Sequence, residues 1–232
     1  MEKIAMPRLY TEFLNRLLKG DNLSEEEASV LMRGLANGEV KSITAGALLI
    51  ALRAKGETAD EIRGFAGAMQ DLAVNPEIPS NIRIVESVGT GGDGSGSYNL
   101  STGSALIASA AGAAVVKHGN RSISSKSGSA DLLEALGVPM PIPRKFVKSI
   151  LEDLSFTFLF APAYHPAMKE IMPVRTALGV RTVFNILGPL VNPAAPKNLV
   201  VGAYSPKVAH LMAEALSGMN IERAFVIHGD SG

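Results

Sequence analysis

Apolar positions in the first third of the chain recur at helical rather than strand spacing. Leu9, Phe13, Leu14, Leu17 and Leu18 share one face of a helix that Gly20 ends, because glycine readily takes the left-handed conformation that closes a helix. Ser24-Glu25-Glu26-Glu27 has the capping-box pattern, a hydroxyl answered three residues later by a carboxylate, so a second helix starts there. A third helix runs through 45–52, and a fourth follows Thr58 with Ile62, Phe65, Ala66 and Met69 on one face. Residues 1–73 therefore read as a small all-helical domain.

The pattern changes at Asn75-Pro76-Glu77-Ile78-Pro79, where two prolines interrupt any helix. Beyond it, short apolar strands at 82–88, 114–117, 156–160, 199–204 and 223–228 alternate with helices at 102–113, 130–136, 143–154 and 206–216. Residues 174–187 lack strand alternation and read as helical. Such alternation predicts the α/β class, a largely parallel sheet covered by helices. Ligands of open parallel sheets gather beyond the carboxyl ends of the strands, which directs attention to the loops after Val88, Lys117 and His228.

Composition narrows the classes. With 47% hydrophobic and 19% charged residues the chain can bury a core. Its 22 basic and 22 acidic residues give zero formal net charge, which argues against a nucleic-acid binder working through a broad positive field. Cysteine is absent, so disulfides and thiolate metal sites are excluded. The longest apolar stretch, 105–116, is too short to span a bilayer, and Met1-Glu2-Lys3-Ile4-Ala5-Met6-Pro7 has no basic segment leading into an apolar run. The expectation is a cytoplasmic protein with neither membrane nor nucleic acid as partner.

The chemistry lies in two loops. Gly89-Thr90-Gly91-Gly92-Asp93-Gly94-Ser95-Gly96-Ser97-Tyr98-Asn99-Leu100-Ser101-Thr102 joins the first strand to a helix. Its glycines let backbone approach a ligand closely, and the helix start adds free N–H donors and partial positive charge, so phosphate or pyrophosphate is the natural guest. Asp93 would repel that guest unless it meets ribose hydroxyls or magnesium. The spacing matches neither a Walker loop nor a dinucleotide fingerprint. The plain alternative is a flexible turn with Ser101 as an ordinary helix cap. The second loop, 117–131, packs three cations, five serines and two glycines into fifteen residues, a hydroxyl-rich cradle for an anion. Its plain alternative is a solvated charge run with Ser129 capping the next helix.

The motifs Gly89-Thr90-Gly91-Gly92-Asp93, Asn99-Leu100-Ser101-Thr102, Lys117-His118-Gly119-Asn120-Arg121 and Ser127-Gly128-Ser129-Ala130-Asp131 closely resemble signatures of the anthranilate phosphoribosyltransferase family. So do Tyr164-His165-Pro166, Pro173-Val174-Arg175 and the run from Phe184-Asn185-Ile186-Leu187 to Asn192-Pro193. The resemblance implies a small helical domain joined to a larger, mainly parallel α/β domain of the nucleoside phosphorylase and phosphoribosyltransferase type. It divides the chain into a helical domain, 1–73 with a helical excursion near 166–189, and an α/β domain, 74–165 and 190–232. It implies transfer of phosphoribose from phosphoribosyl pyrophosphate to the amine of anthranilate, with release of pyrophosphate, in tryptophan biosynthesis. Magnesium is the implied cofactor, and a homodimer through the helical domains the implied assembly.

Carried over by position, the resemblance gives the phosphoribosyl pyrophosphate site Gly89, Gly92, Asp93, Ser97, Asn99, Leu100, Ser101 and Thr102 from the first loop. From the second it gives Lys117, His118, Gly119, Asn120, Arg121, Ser122, Ile123, Ser124, Ser125 and Ser129. Anthranilate falls to Gly89, Asn120, His165 and Arg175, and magnesium to Ser101. Arg175 suits a carboxylate as a planar fork, its alternative being an interdomain salt bridge; His165 is equally readable as a packed loop histidine. No residue is assigned as acid or base, because the anthranilate amine is already neutral at pH 7.

The chain departs from the family pattern in two places. Thr176-Ala177-Leu178-Gly179 follows Arg175 where relatives often carry a second basic residue and an acid. The sequence also ends at Gly232, before the Asp-Glu pair that binds magnesium in the family, and Asp230 is not part of that pair. The expectation is an α/β domain incomplete at its carboxyl end and a chain of little activity and low stability by itself. A pyrimidine nucleoside phosphorylase of the same fold, or a non-catalytic nucleic-acid-binding relative, is the alternative reading.

Overall fold

A computed structural model describes residues 6–91, 96, 98–122 and 126–229. The site residues Gly92, Asp93, Ser97, Ile123, Ser124 and Ser125 lie outside the described residues.

The chain opens with four helices, α1 (Met6–Leu18), α2 (Glu25–Ala36), α3 (Ser42–Lys55) and α4 (Ala59–Asp71). Capping boxes start α2 and α4: Ser24 and Thr58 accept the N–H of Glu27 and Glu61, whose carboxylates accept the N–H of the caps. Each such cap contributes about 1 kcal/mol. The Glu61 carboxylate also accepts from Leu23 N (2.9 Å) and from Lys55 Nζ (3.0 Å), which ties the start of α4 to the turn before α2. The two helices cross closely because Gly64 has no side chain; a Cβ there would stand 2.1 Å from the Glu25 carbonyl oxygen. Leu31, Leu48, Leu49, Leu52, Ile62 and Phe65 fill the middle without exposure, each contributing roughly 1.5–3 kcal/mol of burial.

The α/β part follows as β1 (Ile84–Gly89), α5 (Leu100–Ala110), β2 (Ala114–Gly119), α6 (Ser129–Ala135), α7 (Arg144–Leu154) and β3 (Phe156–Phe160). A short α8 (Ala161–Tyr164) leads to α9 (Met168–Leu178), α10 (Phe184–Leu187) and a 3-10 turn (Gly188–Leu190), then to β4 (Asn198–Gly202), α11 (Pro206–Ser217) and β5 (Arg223–Ile227). All strands pair parallel in the order β3-β2-β1-β4-β5. The chain thus builds outward from β1 to β3, then returns to lay β4 on the other side of β1. That reversal puts the ligand crevice beside the carboxyl end of β1. Helices α5 and α7 lie on β1, β2 and β3, while α11 packs between β5 and α4. Val200, Phe225 and Ile227 on β4 and β5 are exposed.

The 174–187 stretch is not one helix. Helix α9 starts earlier, runs through Pro173 and stops at Gly179, whose φ of 62° is left-handed, and α10 begins only at Phe184. Helix α9 docks on α2 and α3, with Val174 and Leu178 over Gly46. Gln70 of α4 donates to the Leu190 carbonyl (2.9 Å), so the returning chain is held to the bundle as well.

Candidate active site

The first loop leaves β1 at Gly89 and is fastened to the end of β4. Thr90 N donates to the Gly202 carbonyl (2.9 Å), and Tyr204 N to Thr90 Oγ1 (3.2 Å). Gly91 then takes a φ of 65°. Helix α5 starts at Leu100 after Asn99, which makes no side-chain cap. Its Nδ2 instead reaches across to the Ser127 carbonyl (3.3 Å), joining the two loops. Ser101 sits in the first turn, where N–H groups lack helical partners. Ser101 is therefore not the cap of this helix. Leu100 is exposed, while the Thr102 hydroxyl is buried with no partner among the described residues.

The second loop is folded tightly on itself. Asp131 accepts from Ser122 N (2.8 Å) and Gly128 N (2.7 Å), and these bonds hold its carboxyl below the usual range. Gly128 sits where a Cβ would meet Ser122 N at 2.5 Å and the Asn120 carbonyl at 2.7 Å, so no larger residue fits without moving the loop. Gly119, at the end of β2, is packed as closely on Ser129 and Phe158. Ser129 is the first residue of α6 rather than its cap, and its Oγ donates to the Asn120 carbonyl (3.4 Å). Arg121 departs from its expected place in the anion cradle. Its guanidinium forks Glu134 through Nε (3.1 Å) and Nη2 and covers the Phe160 ring (4.8 Å), so its charge is already answered by a carboxylate.

Lys117 is the cation that faces the first loop. Alternation along β2 puts Lys117 on the α5 side of the sheet and His118 on the other. Lys117 is 1% exposed; its Nζ donates to the Ser87 carbonyl (2.7 Å) and stands 3.4 Å from Ser101 Oγ. Burial lowers its pKa, and the charge of Glu86 opposes that shift. Glu86 is itself 2% exposed; burial pushes its carboxyl up to about 7 against the pull of Lys117, Asn192 and the His118 N–H.

His118 does not present its ring to the loops. The ring is buried edge-on to His165 (centroids 5.1 Å apart), with a backbone bond to Gly188, and burial takes its pKa down to about 3. His165 follows α8, is equally buried, bonds the Val191 backbone and is likewise lowered. The Nε2 atoms of both rings are buried without partners among the described residues. Both are neutral packed imidazoles. Arg175, on α9, lies 4.8 Å over the Phe184 ring and 3.6 Å from Met172 Sδ. Among the described residues it has no ion pair, so the interdomain salt bridge is not formed there. A half-buried, unanswered guanidinium suits a ligand carboxylate.

Asn192 and Asp131 lie within the quoted motifs without an assigned role, and Glu86 lies outside them; all three shape the site. The signal of Glu86 in the sequence is a lone carboxylate in an apolar strand. Among the described residues no group of three or more His, Cys, Asp or Glu is placed to hold a metal. The Ser101 hydroxyl is one hard oxygen at a helix start. Magnesium draws its oxygens from carboxylates and ligand phosphates together, so Ser101 supplies one part of such a site.

Comparison with known proteins agrees with this geometry. Residues 11–73 match the helical bundle domain of a glycosyl transferase family, and residues 81–232 match its a/b domain. The chain belongs to this glycosyl transferase family. More narrowly, it is similar to anthranilate phosphoribosyltransferases. It is 52% identical to that of Pyrococcus abyssi over 216 residues and 47% identical to that of Synechococcus sp. (strain JA-3-3Ab) over 224, covering 93% and 97% of this chain. The chain spans 65% of the length of each of these relatives. Among solved structures, the Thermus thermophilus enzyme superposes with a TM-score of 0.89 at 48% identity, over 95% of this chain and 66% of that one. The Saccharomyces cerevisiae enzyme in complex with PRPP and Mg superposes at 0.85 with 30% identity, over 97% and 67%.

Proposed function

We propose that this chain serves the transfer of the phosphoribosyl group from 5-phosphoribosyl 1-pyrophosphate to anthranilate, giving N-(5-phosphoribosyl)anthranilate and pyrophosphate for tryptophan biosynthesis. One observation carries this reading: the loops after β1 and β2 meet, through Asn99 to Ser127 and Lys117 to Ser101, around a helix start. Amide, hydroxyl and ammonium donors gather there, the set that a diphosphate calls for.

Breaking the ribose C1–O bond leaves positive charge on the sugar and negative charge on the departing pyrophosphate. The Lys117 ammonium, the α5 N-terminus and the second loop stabilise that departing charge without having to reorganise. Ser101 would offer one oxygen to magnesium, which would supply further positive charge beside the diphosphate. Gly89, Gly92, Asp93, Ser97, Asn99, Leu100, Thr102, the second-loop residues Gly119, Asn120 and 122–125, and Ser129 complete the donor site; the His118 and Arg121 side chains are engaged elsewhere. Gly89, Asn120 and Arg175 take anthranilate, and His165 lines its path. Arg175 holds the carboxylate so that the neutral amine faces C1, a contribution of orientation. No side chain is needed as a base.

The helical domain comprises residues 1–73 together with the 166–189 excursion, and the α/β domain comprises 74–165 and 190–232; the docking of α9 on α2 and α3 supports that division. Copies of the chain pair through the helical domain, where Leu18 and Ile43 are 69% and 90% exposed. The site is cytoplasmic; among the described residues no helix is long and apolar enough to cross a membrane. Calorimetric titration with phosphoribosyl pyrophosphate, with and without magnesium, tests the reading. Saturable, magnesium-strengthened heat is expected, and its absence at millimolar ligand sinks the assignment.

A further inference from the structure

Strand β1 pairs with β4 as far as Gly89 and Gly202, and β2 pairs with β3 as far as Gly119 and Phe160. Between β1 and β2 the pairing holds only at Ile84 with Ala114 and Val85 with Val115. Past that point side chains stand in for the ladder. Glu86 Oε1 accepts the His118 N–H (2.9 Å), Asn192 Nδ2 donates to the Val116 carbonyl (2.9 Å), and Lys117 Nζ donates to the Ser87 carbonyl (2.7 Å). The two central strands are thus parted at their carboxyl ends, where both ligand loops begin.

Glu86 is the member of this set that grips the peptide between Lys117 and His118. Its Oε1 is engaged by the His118 amide, and a carboxyl buried at 2% exposure in a strand is costly where an apolar residue would serve for packing alone. We propose that Glu86 is a positioning residue: it keeps β2 parted from β1 and sets where Lys117 and the turn through Asn120 stand against the glycine loop. This rests on the reading of the loop junction as the phosphoribosyl pyrophosphate site.

The test is calorimetric titration of the wild-type chain, Glu86→Ala and Glu86→Gln with phosphoribosyl pyrophosphate, with melting temperatures alongside. Loss of the acceptor in Glu86→Ala weakens binding about tenfold, and the amide oxygen of Glu86→Gln returns it to within about threefold of wild type. A merely structural role lowers both melting temperatures without that ordering of affinities. Wild-type affinity in Glu86→Ala overturns the proposal and leaves the site assignment standing, whereas no binding by the wild type overturns both. Should Glu86→Ala fail to fold, hydrogen exchange at the His118 amide decides: slow exchange in wild type and Glu86→Gln is expected, and fast exchange in wild type overturns the proposal.

Discussion

Asn99 donates its side-chain amide to the Ser127 carbonyl at 3.3 Å, and this bond couples the loop after β1 to the loop after β2. Removing it in Asn99→Ala leaves each loop with its own anchors, Thr90 on β4 and Asp131 on the second loop. The expected result is a loss of about five- to tenfold in affinity for phosphoribosyl pyrophosphate with little change in melting temperature. Unchanged calorimetric affinity would mean that the coupling has no part in binding.

Lys117 is buried at the junction, so its replacement separates charge from packing. Lys117→Met keeps much of the volume and removes the ammonium. Turnover is expected to fall about 100- to 1,000-fold, the usual consequence of losing one donor to a developing anion. Thermal stability should fall, because the buried Glu86 carboxyl loses its compensating charge and the Ser87 carbonyl loses its donor. A stopped assay and a melting curve on the same sample check both halves.

Arg175 calls for a different signature. Arg175→Lys retains the positive charge but loses the planar fork, so KM for anthranilate should rise about tenfold while KM for phosphoribosyl pyrophosphate stays put. Steady-state kinetics with each substrate varied in turn distinguishes this from a general loss of fold. Equal rises in both constants would count against a carboxylate-binding role.

His118 predicts an acid limb of stability. Its folded pKa of about 3 lies below the ordinary value of 6.5, so the folded chain binds fewer protons than the unfolded chain between those values. Stability from this group is present above pH 6.5 and is lost as pH falls toward 3. From pH 7 to pH 5 the loss is about 2 kcal/mol. Denaturant unfolding of wild type and His118→Gln at both pH values measures it, and the variant should lack that share of the decline. Parallel declines would remove His118 as the cause.

Much of this was legible in residue patterns. The capping box at Ser24, the helix after Thr58, the order of strands and helices and the two loops follow from local chemistry, and β3 coincides with its apolar run because Ser155, at φ 53°, ends α7 directly before it. Longer-range effects were not legible. Pro173 inside α9 reads as a break, yet docking on α2 and α3 sustains the helix, and Gly179 supplies the break instead. Arg121 looks like an anion ligand until Glu134, one turn into α6, takes its guanidinium. Glu86 reads only as a lone carboxylate in an apolar strand. Its role appears only once β1 is seen at the centre of the sheet with its neighbour leaning away.

Lys117 rides on the sheet, whereas Arg175 rides on α9, which is bolted to the helical bundle. On the proposed function, the gap separating the two reactants is therefore held by the apolar core that joins the bundle to β4 and α11. Thinning that core would alter the reach of the acceptor without touching either ligand.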